Sequence, residues 1–380
     1  MSDAPASRPT WAEINLDNLV HNFQLMKSAV GSKVAIMAAV KADAYGHGAV
    51  SCATALERAG CEWFGVALPE EGVALRDAGI TRPILCLSGF WEGQEQLMLA
   101  SQLVPALYRL DLIERFDRAS RAAGVVSDYH LKIDTGMGRL GVPSGELPGF
   151  LEKAKKFRSL RLDGVMTHFA SADDPAKTEF TAAQMKSFDQ SVDLVRGRGF
   201  GPSWIHEANS AAAHAIVSAR GNLVRLGGVL YGLWRDVTNR TVEPFDWRPV
   251  MSLHTRVLYL KTVPAGTALG YGGTFVAQRE SRIATLPIGY EDGVSRALSN
   301  RGRVLVRGNL APIVGRVSMD LTLVDVSEIE DVAVGDEVVL IGSQGEARIT
   351  AEEIAGRVGT ISYEVTCGVS DRVPRIVVSG

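Results

Sequence analysis

Between residues 34 and 226, short and almost uniformly apolar runs alternate with longer stretches of helical spacing. The runs are VAIMAAV (34–40), WFGVA (63–67), PILCL (83–87), LVPAL (103–107), YHLKI (129–133), LDGVMTH (162–168), SWIHE (203–207) and NLVRL (222–226). Such continuity suits strands covered on both faces, and intervening stretches such as 111–123 carry good helix formers. Eight βα units in about 200 residues fit a closed barrel better than an open doubly wound sheet, which uses fewer strands. The pattern therefore predicts an α/β fold, a (β/α)8 TIM barrel. Upstream, Leu19, Phe23, Met26 and Val30 recur at helical spacing, which predicts a helix capped by Asp17 and packed outside the barrel.

After Trp247 the period changes to two, in SLHTRVLYL, RIATLPI, RVLVRG, APIVGRV, TLVDV and DEVVLI, with glycine, proline and acidic residues between the runs. This predicts a C-terminal mostly-β domain. The expected organisation is a loose tail over 1–10, the barrel over 11–245 and the β domain over 246–380, with the polar segment 234–249 as hinge.

Composition narrows the function classes. With 46% apolar and 22% charged residues, the chain can fill two sizeable cores. Lys plus Arg number 40 against 43 for Asp plus Glu, a net charge of -3, which leaves no basic footprint for nucleic acid or an anionic membrane. No stretch approaches the ~18 apolar residues of a membrane span. The opening MSDAPASRPT lacks the apolar core of a signal peptide, and Cys52, Cys61, Cys86 and Cys367 form no C-x-x-C pair. A cytoplasmic protein acting on a small molecule is the expectation.

In a barrel of this kind the active site lies at the C-terminal ends of the strands. Lys41, Lys132, His168, His206 and Arg225 all fall at or near such ends. Each alone is an ordinary surface charge or structural histidine, but five share one rim. Ser210, after the seventh run, and Gly227 and Gly228, after the eighth, could be a helix cap and a tight turn. They also stand where barrels hold phosphate on backbone N–H groups. A lysine opposite a phosphate cradle points to pyridoxal 5'-phosphate, with Lys41 forming the Schiff base and Arg225 facing the pyridine nitrogen. No metal is expected, because HEANSAAAH (206–214) lacks the second histidine of H-E-x-x-H and no other His/Cys cluster has ligand spacing.

VKADAYGHG (40–48) resembles the cofactor-lysine motif of alanine racemases. The similarity continues through HLKIDTGMGRLG (130–141), MTHFASAD (166–173), IHEANSAA (205–212), VRLGGVLYG (224–232), PIGYEDG (287–293), GRVSMD (315–320) and TISYEVTC (360–367). The resemblance implies that Lys41 holds the cofactor, that Tyr45, Ser210, Gly227, Gly228 and Tyr363 bind its phosphate, and that Asn209 is a further cofactor-binding residue. It implies Arg225 at the pyridine nitrogen, Arg139 at the phenolic oxygen and near the substrate, and His168 and His206 orienting neighbours around the ring. Lys132 would be the lysine that is often carbamylated, and Asp320 a supporting residue. Tyr271, in LGYGGT, would be the second base, Met319 would meet the substrate carboxylate through its backbone, and Tyr290 would narrow the entrance. Gly228, Gly270 and Ser318 depart from the family pattern, which has a larger apolar residue, a serine and a cysteine there.

Racemisation needs one base on each face of the substrate's α-carbon. Lys41 lies in the predicted barrel and Tyr271 in the predicted β domain, and the family implies a homodimer in which the partner supplies the tyrosine. The reading is alanine racemisation, feeding peptidoglycan synthesis or alanine catabolism. The alternatives are a racemase of another amino acid such as serine, a barrel-fold pyridoxal-phosphate decarboxylase, and a non-catalytic carrier of the cofactor. The LGYGGT tyrosine favours racemisation over the second, and the β domain bearing it speaks against the third.

Overall fold

The computed structural model describes residues 8–235 and 246–378. All eight apolar runs overlap strands: Ala35–Ala39, Trp63–Val66, Ile84–Cys86, Val104–Leu107, Ser127–Asp134, Leu160–Met166, Trp204–His206 and Leu223–Leu226. The first seven strands pair in parallel in order and the eighth pairs with the first, while the seventh and eighth lie side by side without a strand ladder among the described residues; helices cover the outside of the resulting barrel. Between the seventh and eighth strands a side chain does much of the stitching. The Asn222 amide accepts from Ile205 N at 2.8 Å and donates to Ser203 O at 2.7 Å, while Asn222 N donates to Ile205 O at 3.2 Å. Gly221 makes the approach possible, since a β-carbon there would stand 2.2 Å from Ile205 O.

The first helix, Leu16–Val30, buries Leu19, Phe23, Met26 and Val30 as the spacing predicts. Each such burial is worth roughly 1.5–3 kcal/mol. Its cap corrects the sequence reading: Asn15, not Asp17, accepts from Asn18 N at 2.8 Å, and Asp17 sits in the first turn, where it complements the helix dipole. Asn22, on the buried face, donates to Leu230 O at 3.0 Å and Arg248 O at 2.7 Å, which ties the helix to the chain leaving the barrel.

The C-terminal part is mostly β, as expected. One sheet contains Met251–Arg256, Arg303–Val306, Asn309–Pro312 and Glu337–Gln344, and another contains Tyr259–Val263, Ser281–Leu286 and Thr322–Asp325. The run SLHTRVLYL breaks at Val257 and Leu258, so its halves serve different sheets. The structure also corrects the expected boundaries. Thr10–Asn15 is a strand of the first of these sheets, antiparallel to Met251–Arg256 and parallel to Arg375–Val378. Residues 11–15 thus pack with the β domain rather than the barrel, and Thr10 belongs to a strand rather than a tail. Arg8 is anchored too, through a bidentate pair with Asp292 at 2.6 and 2.8 Å. Residues 1–7 of the expected tail and residues 236–245 of the expected hinge lie outside the described residues. Two helices that the period-two reading missed, Ala351–Val358 and Ser362–Cys367, complete this part. No helix among the described residues is long and apolar enough to cross a membrane.

Candidate active site

A cavity of about 430 Å³ opens at the C-terminal ends of the barrel strands. Its wall contains Lys41, Tyr45, Lys132, Arg139, His168, Asn209, Ser210, Arg225, Gly227, Gly228 and Tyr363, together with Ala39, Ala67, Leu87, Ser88, Leu140 and Met166, which the sequence reading did not single out.

Lys41 stands one residue, Val40, beyond the first strand, and the chain then makes a left-handed turn: Ala42, Asp43, Ala44 and Tyr45 have φ of 52°, 51°, 55° and 57°. For L-residues this conformation costs about 1–2 kcal/mol each, so surrounding contacts must hold it. Glu71 accepts from Ala42 N at 2.7 Å and, through its other oxygen, from Ala67 N at 2.7 Å, while Asp43 accepts from Ala49 N at 2.7 Å. Burial, reinforced by the positive charge of Arg139, pulls the Lys41 amine below the ordinary lysine range. Lys132, on the fifth strand, is brought down to about 8 by burial and then by Arg225, Arg139 and Lys41.

At the other end of the cavity two phenols meet two glycines. A β-carbon on Gly227 would stand 2.5 Å from the Tyr45 hydroxyl, and one on Gly228 would stand 2.2 Å from that of Tyr363. The tyrosine rings contact edge to face at 5.3 Å between centroids. Ser210 Oγ accepts from Gly227 N at 2.9 Å, which leaves its own proton to donate. Gly228 opens a 3-10 turn, whose first N–H groups have no partner within the turn.

Arg225, 6% exposed, forms the floor. Nη1 donates to His206 O at 2.8 Å and faces His206 Nδ1 at 3.2 Å. Nη2 donates to Thr167 O at 2.7 Å and Glu207 O at 3.1 Å and faces His168 Nδ1 at 3.3 Å. Burial lowers this guanidinium only to about 10, so it stays charged at neutral pH. Burial also pushes the Glu207 carboxyl up to about 8. The imidazoles remain neutral: burial, then the charge of Arg225, holds His168 near 3, and burial, then His130 and Arg225, drives His206 well below the ordinary histidine range. Because a guanidinium only donates, both histidines must turn an unprotonated Nδ1 toward it. His206 therefore lies behind Arg225 as a support, not on the cavity wall.

The remaining expected residues lie elsewhere. Tyr271, Tyr290 and Met319 are 71%, 41% and 50% exposed, and none lines the cavity. Tyr290 N donates to Ser318 O at 3.0 Å and Glu291 N to Met319 O at 3.1 Å, so Tyr290 and Met319 are held together on the β domain. Asp320 pairs with Arg372 at 2.7 Å. Gly270, which precedes Tyr271, has φ of 70°, a conformation that favours glycine. Sequence reasoning missed His130, buried beneath the cavity, although it is two residues from Lys132 on one strand and so shares its face. It also missed Glu71, whose signal was an acidic first turn in PEEG. Among the described residues there is no group of three or more His, Cys, Asp or Glu side chains that could hold a metal ion.

Comparisons with known proteins agree over nearly the whole chain. Residues 14–234 match the model of the alanine racemase N-terminal domain, and residues 250–377 match that of the alanine racemase C-terminal domain. An alanine racemase of Halothermothrix orenii is 47% identical over 97% of this chain and 97% of its own length, and one of Geobacter sp. strain M21 is 44% identical over 98% and 100%. The crystal structure of alanine racemase from Bacillus anthracis with bound L-Ala-P superposes with a TM-score of 0.92 at 36% identity, covering 99% of this chain and 97% of that one. That of the Bartonella henselae enzyme with covalently bound pyridoxal phosphate gives 0.88 at 29%, covering 98% and 100%. With both of its domains matched and relatives aligned nearly end to end, the chain belongs to the alanine racemase family.

Proposed function

We propose that this protein interconverts L-alanine and D-alanine with pyridoxal 5'-phosphate bound in the barrel cavity. The observation that carries the reading is the convergence, in one cavity, of a lysine of lowered basicity, a two-glycine cradle rimmed by phenols and a buried arginine. These residues fit the cofactor. Tyr45, Ser210, Tyr363 and the backbone of Gly227 and Gly228 would hold its phosphate, with Asn209 beside them. Arg225 would meet the pyridine nitrogen through Nε, the donor that its other bonds leave over, and Arg139 would reach the phenolic oxygen. When bound, pyridoxal phosphate supplies an aldehyde that takes up the substrate's amino group and a conjugated ring that stabilises the electron pair left by the departing α-proton.

The chain's residues supply the proton transfers. Lys41, with an amine that burial and Arg139 make easier to deprotonate, serves one face of the α-carbon. Tyr271 of the partner subunit serves the other. A single chain leaves Tyr271 exposed on its β domain and outside the cavity, which supports a homodimer with shared sites. His168, with Nδ1 turned to Arg225, keeps its proton on Nε2 and can present it as a donor to the tyrosine. Arg139, the Met319 backbone and Tyr290 of the facing β domain would orient the substrate and narrow access. Lys132 stands among Arg225, Arg139 and Lys41, and its amine donates to Leu87 O at 3.4 Å. Carbamylation would put a negative charge on a cavity wall lined by lysine and arginine but by no carboxylate. Such an enzyme belongs in the cytoplasm, supplying D-alanine for peptidoglycan or degrading it.

Incubating the purified holoenzyme with L-alanine, L-serine and other L-amino acids should show loss of optical activity first and fastest with alanine, with no carbon dioxide released. Gas release would favour a decarboxylase, and faster loss with serine a different racemase.

A further inference from the structure

His206 is fully buried and neutral, and its Nδ1 faces a donor of Arg225, so its single proton lies on Nε2. That nitrogen stands 2.8 Å from Nδ1 of His130. His130 must therefore accept through Nδ1 and carry its own proton on Nε2. Burial, then Arg225, lowers His130 to about 3, which leaves it neutral as this pattern requires. Yet His130 Nε2 is buried without a hydrogen-bond partner.

An unmatched N–H in a protein interior is unfavourable, and an apolar residue of similar size would avoid it. Around His130 the chain is instead built to admit the ring. A β-carbon on Gly164 would stand 2.6 Å from three of its atoms, and Trp63 packs against it at 5.2 Å between centroids. Packing alone gives no reason for an imidazole here, whereas an acceptor facing His206 does.

We propose that His130 is a positioning residue for the reaction: by accepting the Nε2 proton of His206 it locks that ring, which in turn keeps Arg225 turned with Nε toward the cavity. The benefit to catalysis rests on the proposed reading that Arg225 meets the cofactor's pyridine nitrogen. The proton order along Arg225, His206 and His130 does not.

The test has two parts. Nitrogen-15 spectra of histidine-labelled holoenzyme should show His206 and His130 as neutral rings protonated on Nε2. A proton on His206 Nδ1, or a charged ring at either site near pH 7.5, would overturn the proposal whether or not the protein racemises alanine. His130→Leu removes the acceptor, while His130→Asn places an amide oxygen near the position of Nδ1. The leucine variant should bind pyridoxal phosphate about tenfold more weakly and shift its visible absorption maximum, and the asparagine variant should stay within about threefold of the parent. Equal behaviour of the two would sink the proposal. Should His130→Leu fail to fold, the spectra of the unsubstituted protein still decide. If the proton order holds but alanine keeps its handedness, the proposed function fails and the role of His130 in orienting Arg225 stands.

Discussion

Gly228 and Tyr363 are so close that a β-carbon on the glycine would lie 2.2 Å from the tyrosine's hydroxyl oxygen and 2.3 Å from its ring. The tyrosine comes from a helix of the β domain and the glycine from the 3-10 turn after the eighth barrel strand, so the missing side chain is what lets the two domains meet over the cavity. Gly228→Ala should push the phenol aside and weaken cofactor binding about tenfold, as should Tyr363→Phe, each losing one hydrogen bond to an anion. The double variant should be no worse than either alone. Titrating the apoprotein with pyridoxal phosphate and following absorbance checks this, and additive losses would separate the two residues.

Exposure of Tyr271 outside the cavity that holds Lys41 makes subunit mixing informative. Lys41→Ala and Tyr271→Phe should each abolish most activity. Mixed equally under conditions that let subunits exchange, they should regain about a quarter of the parent rate, since half the dimers would be mixed and each would hold one intact site. Absence of recovery in a mixture shown to contain mixed dimers would argue against shared sites.

Acid should destabilise the fold before the carboxylates titrate. His47 and His130, buried and neutral, titrate in the folded protein near 4 and 3, and His206 lower than usual, whereas all three take up protons near 6.5 once unfolded. The unfolded state therefore binds more protons below about pH 6.5, and stability falls with pH there, by up to about 1.4 kcal/mol per unit for each histidine, until the folded values are reached. Glu207, raised to about 8, opposes this with one proton between its unfolded and folded values. Urea midpoints at pH 7.5, 6.5 and 5.5 should decline most over the last step. A flat profile would contradict the neutral burial of these rings.

Lys132, brought down to about 8, offers enough neutral amine at slightly alkaline pH to react with carbon dioxide. Protein equilibrated with carbon-13 bicarbonate should show a carbamate carbonyl resonance that Lys132→Ala abolishes. A resonance that survives the substitution would place the modification on another amine.

The barrel was legible because parallel strands buried on both faces are written as continuous apolar runs, and each of the eight runs overlaps a strand. Its rim followed from that count, which is how Lys41, Lys132, His168 and Arg225 could be brought to one cavity from sequence positions far apart. Thr10–Asn15 was not legible. Its alternation is a short, weak signal, and its partners lie more than two hundred residues away. The helix carrying Tyr363 is only six residues long, too short for a periodicity to declare itself. The cap at Asn15 was missed because Asp17 is an equally good capping type, and only backbone geometry separates them. His130 was hidden for another reason: its role depends on which nitrogen carries a proton, and that follows from partners contributed by two other strands.

The strand Thr10–Asn15 is synthesised well before both of its partners, Met251–Arg256 on one flank and Arg375–Val378 on the other. At about 5–20 residues per second, this segment waits tens of seconds for its neighbours while the barrel assembles between them. The ribosome thus makes the partners of one sheet far apart in time, and the sheet is complete only once Arg375–Val378 has been made.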